Sequence, residues 1–205
     1  MSINILAVFG VCSAIVNTLG YIFYVRGVIA RKTKPERSSW WIWSLLMIVA
    51  FAAQVSAGST WSLFLTGTYL TGNLINALLS LKYGYGHFKK YDFLALLITG
   101  VGIWLWAITG SALIALIIII LIDLVGNWLT LLKSWRSPYT ENFFTWIMMT
   151  IGALLGVFSV GSINLTRLIF PVYVIIPNLA VSIVIFKRRN WRKQRAMLGR
   201  KKRLK

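Results

Sequence analysis

The sequence predicts an all-α polytopic membrane protein of seven transmembrane helices, two parallel three-helix bundles joined by a linker helix. Composition, the spacing of apolar runs and an internal duplication predict it. Hydrophobic residues make up 58% of the 205-residue chain and mean hydropathy is +0.75, against roughly 45–50% apolar residues in soluble domains. Apolar stretches recur almost end to end with brief polar interruptions, so lipid is the expected solvent.

Stretches near the span length fall at residues 3–25, 40–58, 60–82, 92–108, 112–132, 142–160 and 163–186. Helix is the expected state, because backbone amides in hydrocarbon must be satisfied within the segment and no period-two alternation marks a barrel. The first span follows no basic leader or small-residue cleavage pattern, so it is expected to remain in the membrane. Breaks at Gly58-Ser59 and Thr109-Gly110-Ser111 divide tracts too long for one crossing.

Charge orients the spans. Arg31, Lys32, Lys34 and Arg37 follow the first, Lys89 and Lys90 the third, Lys133 and Arg136 the fifth, and a densely basic tail the seventh. The intervening loops carry essentially Arg167 alone. An N-terminus outside, a cytoplasmic C-terminus and a multi-pass chain in the plasma (inner) membrane are therefore expected. Most of the net charge of +18 comes from Lys187 to Lys205. Directly after a span, such a run reads as attraction to anionic lipids, about 1 kcal/mol per basic residue, and no nucleic-acid partner is expected.

The duplication is visible without gaps between Lys34–Ser59 and Ser137–Ser162, pairing Pro35 with Pro138, Trp43 with Trp146 and Gly58-Ser59 with Gly161-Ser162. Further on, GNLINALLSLK from Gly72 matches PNLAVSIVIFK from Pro177, pairing Asn73 with Asn178 and Lys82 with Lys187. An even number of crossings separates the two copies, so they are parallel repeats, with the fourth span restoring chain direction. The predicted units are residues 1–85, a linker helix at 86–110, residues 111–187 and a basic cytoplasmic tail at 188–205.

This plan, the basic loops with Pro35 and Pro138, and the Asn73 and Asn178 pair resemble the SWEET, semiSWEET and PQ-loop transporter superfamily over residues 1 to 187. The Pro-Gln dipeptide of the PQ-loop group is absent, the first span reading NTLGYIFYVRG and the fifth IDLVGNWLTLLK. The chain thus looks like a divergent, prokaryotic branch rather than a sugar carrier. The resemblance implies a membrane transporter or facilitator of a small polar solute, a sugar or other metabolite, with alternating access around a midplane site. It also implies that Asn73 and Asn178 line that site, that aromatic residues lie near it, and that such carriers form homo-oligomers. Two alternatives are a non-transporting scaffold or assembly partner working through the basic tail, and a vitamin-precursor transporter of the PnuC type, whose binding motif has no convincing match here.

Polar groups deep in hydrocarbon nominate a site independently, since an ionisable one costs about 2.5–3.5 kcal/mol there. Of the four acids, Asp123 lies near a span centre while Glu36, Asp92 and Glu141 fall at span ends, as caps or partners of loop cations. Asn127 and Thr130 follow Asp123 on one helix face, and Asn17, Tyr21 and Tyr24 share a face of the first span. The candidate substrate-binding residues are Asn73, Asn178, Asp123, Tyr69, Tyr173, Asn127 and Asn17. Asp123 would bind a coupling cation or proton, or a substrate amine or hydroxyl; the other reading is a structural hydrogen bond to a neighbouring helix.

Asn76 is expected to bond between helices, Pro171 and Pro177 to interrupt the last span, and Gly10, Gly20, Gly67 and Gly72 to permit close helix contact. Trp40, Trp41, Trp43, Trp61 and Trp128 are read as interfacial-belt or packing residues. One intramembrane carboxylate with no histidine beside it nominates no catalytic residue, so the chain is not expected to be an enzyme. Cys12, the sole cysteine, excludes an intramolecular disulfide or a thiolate cluster, and neither a cofactor nor a metal is expected.

Overall fold

The computed structural model describes residues 4–85, 93, 97, 100, 101, 104 and 107–203, without the side chains of residues 112, 115 and 198–203. They form α1 (Ile5–Ile29), α2 (Arg37–Ser56), α3 (Leu63–Tyr83), α4 (Ala112–Arg136), a 3-10 turn (Pro138–Thr140), α5 (Phe143–Phe158) and α6 (Leu165–Arg203). The segments Ile5–Ile29, Arg37–Ser56, Leu116–Arg136 and Leu165–Met197 are long and apolar enough to cross a membrane, and α5 is a shorter apolar helix. The predicted fourth span, 92–108, lies largely outside the described residues, as do Lys89, Lys90 and Asp92; positions 93, 97, 100, 101 and 104 within it are helical.

Polar side chains begin the helices by taking up backbone donors that lack a partner in the first turn. Asn4 Oδ1 accepts from Leu6 N–H at 3.1 Å, Glu36 Oε2 from Ser39 N–H at 2.8 Å and Asn142 Oδ1 from Thr145 N–H at 3.3 Å. Gly58 and Gly161, aligned in the duplication, both adopt left-handed backbone after α2 and α5, with φ of 70° and 73°. That conformation favours glycine and stops both helices at the same repeat position.

Burial is inverted relative to a soluble protein. Asn17, Gln54, Asn73, Asn76, Asp123, Asn127, Asn178 and Ser182 are buried, whereas Ile15, Leu78, Leu121, Phe144 and Ile176 are exposed. Water would impose a steep cost on that apolar rim, while hydrocarbon requires the polar groups to face inward. With the long apolar helices, this makes the chain a multi-pass membrane protein.

Packing closes the described helices into a ring: α1 touches α3 and α5, α2 touches α3 and α4, and α6 touches α4 and α5. Exchanging α1, α2 and α3 for α4, α5 and α6 leaves these adjacencies unchanged. At one end of the ring Arg37 donates to the Ser80 and Leu81 carbonyls, Lys133 to that of Lys34, Arg189 to those of Pro138 and Glu141, and Arg192 to that of Arg136. At the other end Arg167 donates to the Ala57 carbonyl.

The last helix corrects one expectation. Pro171 and Pro177 lie inside α6 without interrupting it. Each removes one donor and frees the carbonyl one turn back, a local loss that a helix packed against α4 and α5 absorbs. The helix then continues through the basic segment to Arg203, where arginine, lysine, glutamine, alanine and leucine all favour it.

Candidate functional site

A cavity lies where the six helices meet. Tyr21 enters from α1, Trp40, Trp43 and Met47 from α2, Tyr69 and Asn73 from α3, Asp123 and Asn127 from α4, Trp146 and Met149 from α5, and Phe170, Val174, Pro177 and Asn178 from α6. Its volume is about 30 Å³, room for about two water molecules. Asn73, Asn178, Asp123, Tyr69 and Asn127, nominated from sequence, line this one space. Tyr173 stands behind it, its hydroxyl donating to Asp123 Oδ2 at 2.7 Å. Asn17 lies elsewhere between α1 and α3, where Nδ2 donates to Thr68 Oγ1 at 2.7 Å.

Side-chain bonds hold the polar wall across helix boundaries. Tyr21 donates to Asn73 Oδ1 at 2.6 Å, and Asn178 Nδ2 donates to Tyr69 Oη at 2.7 Å. The Tyr69 hydroxyl in turn points at the Met149 carbonyl, 3.4 Å away. Asp123 Oδ2 accepts from Asn127 Nδ2 at 2.5 Å as well as from Tyr173. Thr130, the third residue of that face, donates to Ser39 Oγ of α2 at 3.1 Å instead of facing the cavity. Asn76 is also a correction: its Nδ2 donates to the Gly72 carbonyl of its own helix at 2.9 Å.

Aromatic rings make the rest of the wall. Trp40 and Trp43 meet edge-on with centroids 5.2 Å apart, and Trp43 meets its repeat partner Trp146 at 6.0 Å. Tyr21 and Tyr69 meet at 6.1 Å, as do Tyr69 and Phe170. Of the tryptophans read as belt or packing residues, Trp40 and Trp43 are buried and packed, where they wall the cavity, whereas Trp128 is exposed. The belt alternative equates proximity to a helix end with proximity to lipid. Trp43 is six residues from the start of α2, about 9 Å along the axis, and an indole directed inward spans the remaining distance. Its Nε1 would lie 2.7 Å from a Cβ at Gly126, so α4 admits the ring only because that position is glycine. Gly72 is similar, since a Cβ there would run into the Tyr21 ring.

Beneath the tryptophans lies a buried ionic cluster. Lys133 Nζ on α4 stands 2.5 Å from Glu141 Oε1, with both side chains 1% exposed, and also donates to the Lys34 carbonyl. Glu141 accepts from Trp146 Nε1 at 3.1 Å and from the Tyr24 hydroxyl at 3.4 Å. Trp40 Nε1 donates to Tyr24 Oη at 3.2 Å. Two rings that wall the cavity are thus tethered to the ion pair, Trp146 directly and Trp40 through Tyr24. At the opposite end Arg167 Nε and Nη2 clasp the Ala57 carbonyl at 3.1 and 2.9 Å. The pairing of Lys133 with Glu141 was foreshadowed by an acid among loop cations; its burial was not.

Fold and site together define an all-α, multi-pass membrane protein with a polar and aromatic cavity at the centre of its helices. No protein family, curated protein or solved structure matches the chain.

Proposed function

We propose that the chain is a SWEET-like transporter or facilitator of a small polar solute, built as two parallel three-helix units with a linker helix between them. The observation that carries this reading is the central cavity, to which both halves of the duplication contribute and which Asn73 and Asn178 line together with Trp43 and Trp146. The exchange-symmetric ring of contacts supports the three-plus-one-plus-three plan. The gathering of Lys34, Arg37, Lys133, Arg189 and Arg192 at one end supports a cytoplasmic face there and an N-terminus outside.

A drug-sized ligand needs a site of about 300 Å³ or more, so the cavity would have to widen to hold one. In alternating access the halves rock apart at one end at a time. The Lys133–Glu141 cluster holds the cytoplasmic end and Arg167 on the Ala57 carbonyl holds the outer end. The protein supplies binding and passage without catalysis, and the basic stretch of α6 rests on anionic lipid.

The test is reconstitution. Purified protein is screened by thermal shift against sugars, nucleosides, amino acids and amines, since a ligand of the folded state raises apparent stability, and hits are followed by flux into liposomes. Asn73→Ala and Asn178→Ala should abolish flux at unchanged folded yield. Normal flux in both variants would remove the cavity from the account.

A further inference from the structure

We propose that the cavity is built for an organic cation, an amine or quaternary ammonium group held by Asp123 inside a cage of Trp40, Trp43, Trp146 and Tyr21. The inference rests on the transport reading and adds the class of solute.

Charge points to it first. The chain has 22 lysines and arginines against four acids, yet the cavity is lined by one acid and by no lysine, arginine or histidine. A carboxyl held in hydrocarbon is expensive unless something positive lies against it. Among the described residues no cationic side chain hydrogen-bonds or ion-pairs with Asp123; its partners are Asn127 and Tyr173, both on Oδ2. Oδ1 accepts from no described residue, and Asp123 is one of the residues that line the cavity.

Hydrogen-bonding capacity points the same way. Asn178 is oriented by its bond to the Tyr69 hydroxyl, which leaves Oδ1 as an acceptor. Against Asp123 Oδ1 and Asn178 Oδ1 as acceptors, Asn73 Nδ2 remains as a donor because Asn73 Oδ1 is taken by Tyr21, and Trp43 Nε1 is a second donor without a partner among the described residues. Two acceptors, one of them on a carboxyl, suit a ligand that donates, and the carboxyl repels phosphate or carboxylate.

The third contribution is aromatic. Indole faces are the strongest cation–π partners among side chains, and three indoles meet here with centroids 5.2 to 6.5 Å apart. Trp43 lies on Gly126, three residues beyond Asp123 on the same helix, so the cage and the carboxyl share one turn of α4. A neutral sugar could use the asparagines, the acid and the rings as well, but it brings no charge to offset the carboxylate.

Full-length protein in detergent is titrated at fixed pH with choline and tyramine, and with their neutral isosteres 3,3-dimethylbutan-1-ol and 4-propylphenol. At least one cation should bind about tenfold or more tightly than its isostere. That preference should vanish in Asp123→Asn and persist in Asp123→Glu, while Trp43→Phe weakens the cation alone. Equal affinity for cation and isostere, or no binding of either cation at millimolar concentration, overturns the proposal. The wild-type comparison decides it even where a variant does not fold. Liposome flux separates the two claims. Protein-dependent flux of a neutral solute with no effect of either cation overturns the cation assignment and leaves transport standing. A cation that binds but never crosses upholds the site and removes the transport reading.

Discussion

Replacing Glu141 by glutamine tests the closed end of the cavity. The carboxylate accepts from Lys133 at 2.5 Å, Trp146 at 3.1 Å and Tyr24 at 3.4 Å, and both members of the ion pair are 1% exposed. Glutamine keeps the shape and leaves the Lys133 ammonium facing a neutral amide and the Lys34 carbonyl. Breaking a buried pair from one side costs about 3–5 kcal/mol, because the remaining charge stays desolvated. For a chain of this length that corresponds to a fall in Tm of roughly 6–20 °C. Lys133→Met should cost a similar amount from the other side. The double variant should recover most of the loss, since removing both charges also removes their desolvation cost. Unfolding of the detergent-solubilised proteins closes the double-mutant cycle. Single variants within about 0.5 kcal/mol of wild type, or strictly additive effects, would refute the ion pair as the fastening of this end.

Three further outcomes are expected. Gly126→Ala should drive Trp43 from its seat, because the new Cβ would lie 2.7 Å from Nε1; overpacking of about 1–3 kcal/mol and a shifted tryptophan emission spectrum would register it. Arg167→Gln should loosen its end of the bundle by removing the clasp on the Ala57 carbonyl, read under the proposed orientation as faster modification of a cavity cysteine from the outside at unchanged rate from the inside. Truncation after Lys193 keeps the bonds of Arg189 and Arg192 to the bundle; it should leave flux intact and lower affinity for anionic vesicles, whereas a scaffold working through this segment would lose its interaction.

Much of the architecture was legible because lipid makes long apolar runs and positional glycines unambiguous. Gly58 and Gly161 could be paired by eye, and both adopt left-handed backbone that ends a helix. Asn73 and Asn178 were legible as a symmetric pair of expensive polar groups, and they line one cavity. Trp40 and Trp43 were legible as belt or packing residues but not as cavity walls, because distance from a helix end says nothing about which way an indole turns; the match of Trp43 to Trp146 was the available signal. Asn17 shares the polar face of α1 with Tyr21, but Thr68 engages it away from the cavity. The prolines of α6 misled because a helix inside a bundle tolerates a lost donor. The Lys133–Glu141 bond joins the end of α4 to the loop before α5, and its burial depends on Tyr24 and Trp146 closing over it.

Alternating access is tested most directly at Val174, a buried cavity residue. With Cys12→Ala as background, Val174→Cys provides one thiol in oriented proteoliposomes, to be challenged with a membrane-impermeant thiol reagent from either side. The account predicts modification from both sides, slowed from both by bound solute. Modification from one side alone, or from neither, would contradict it.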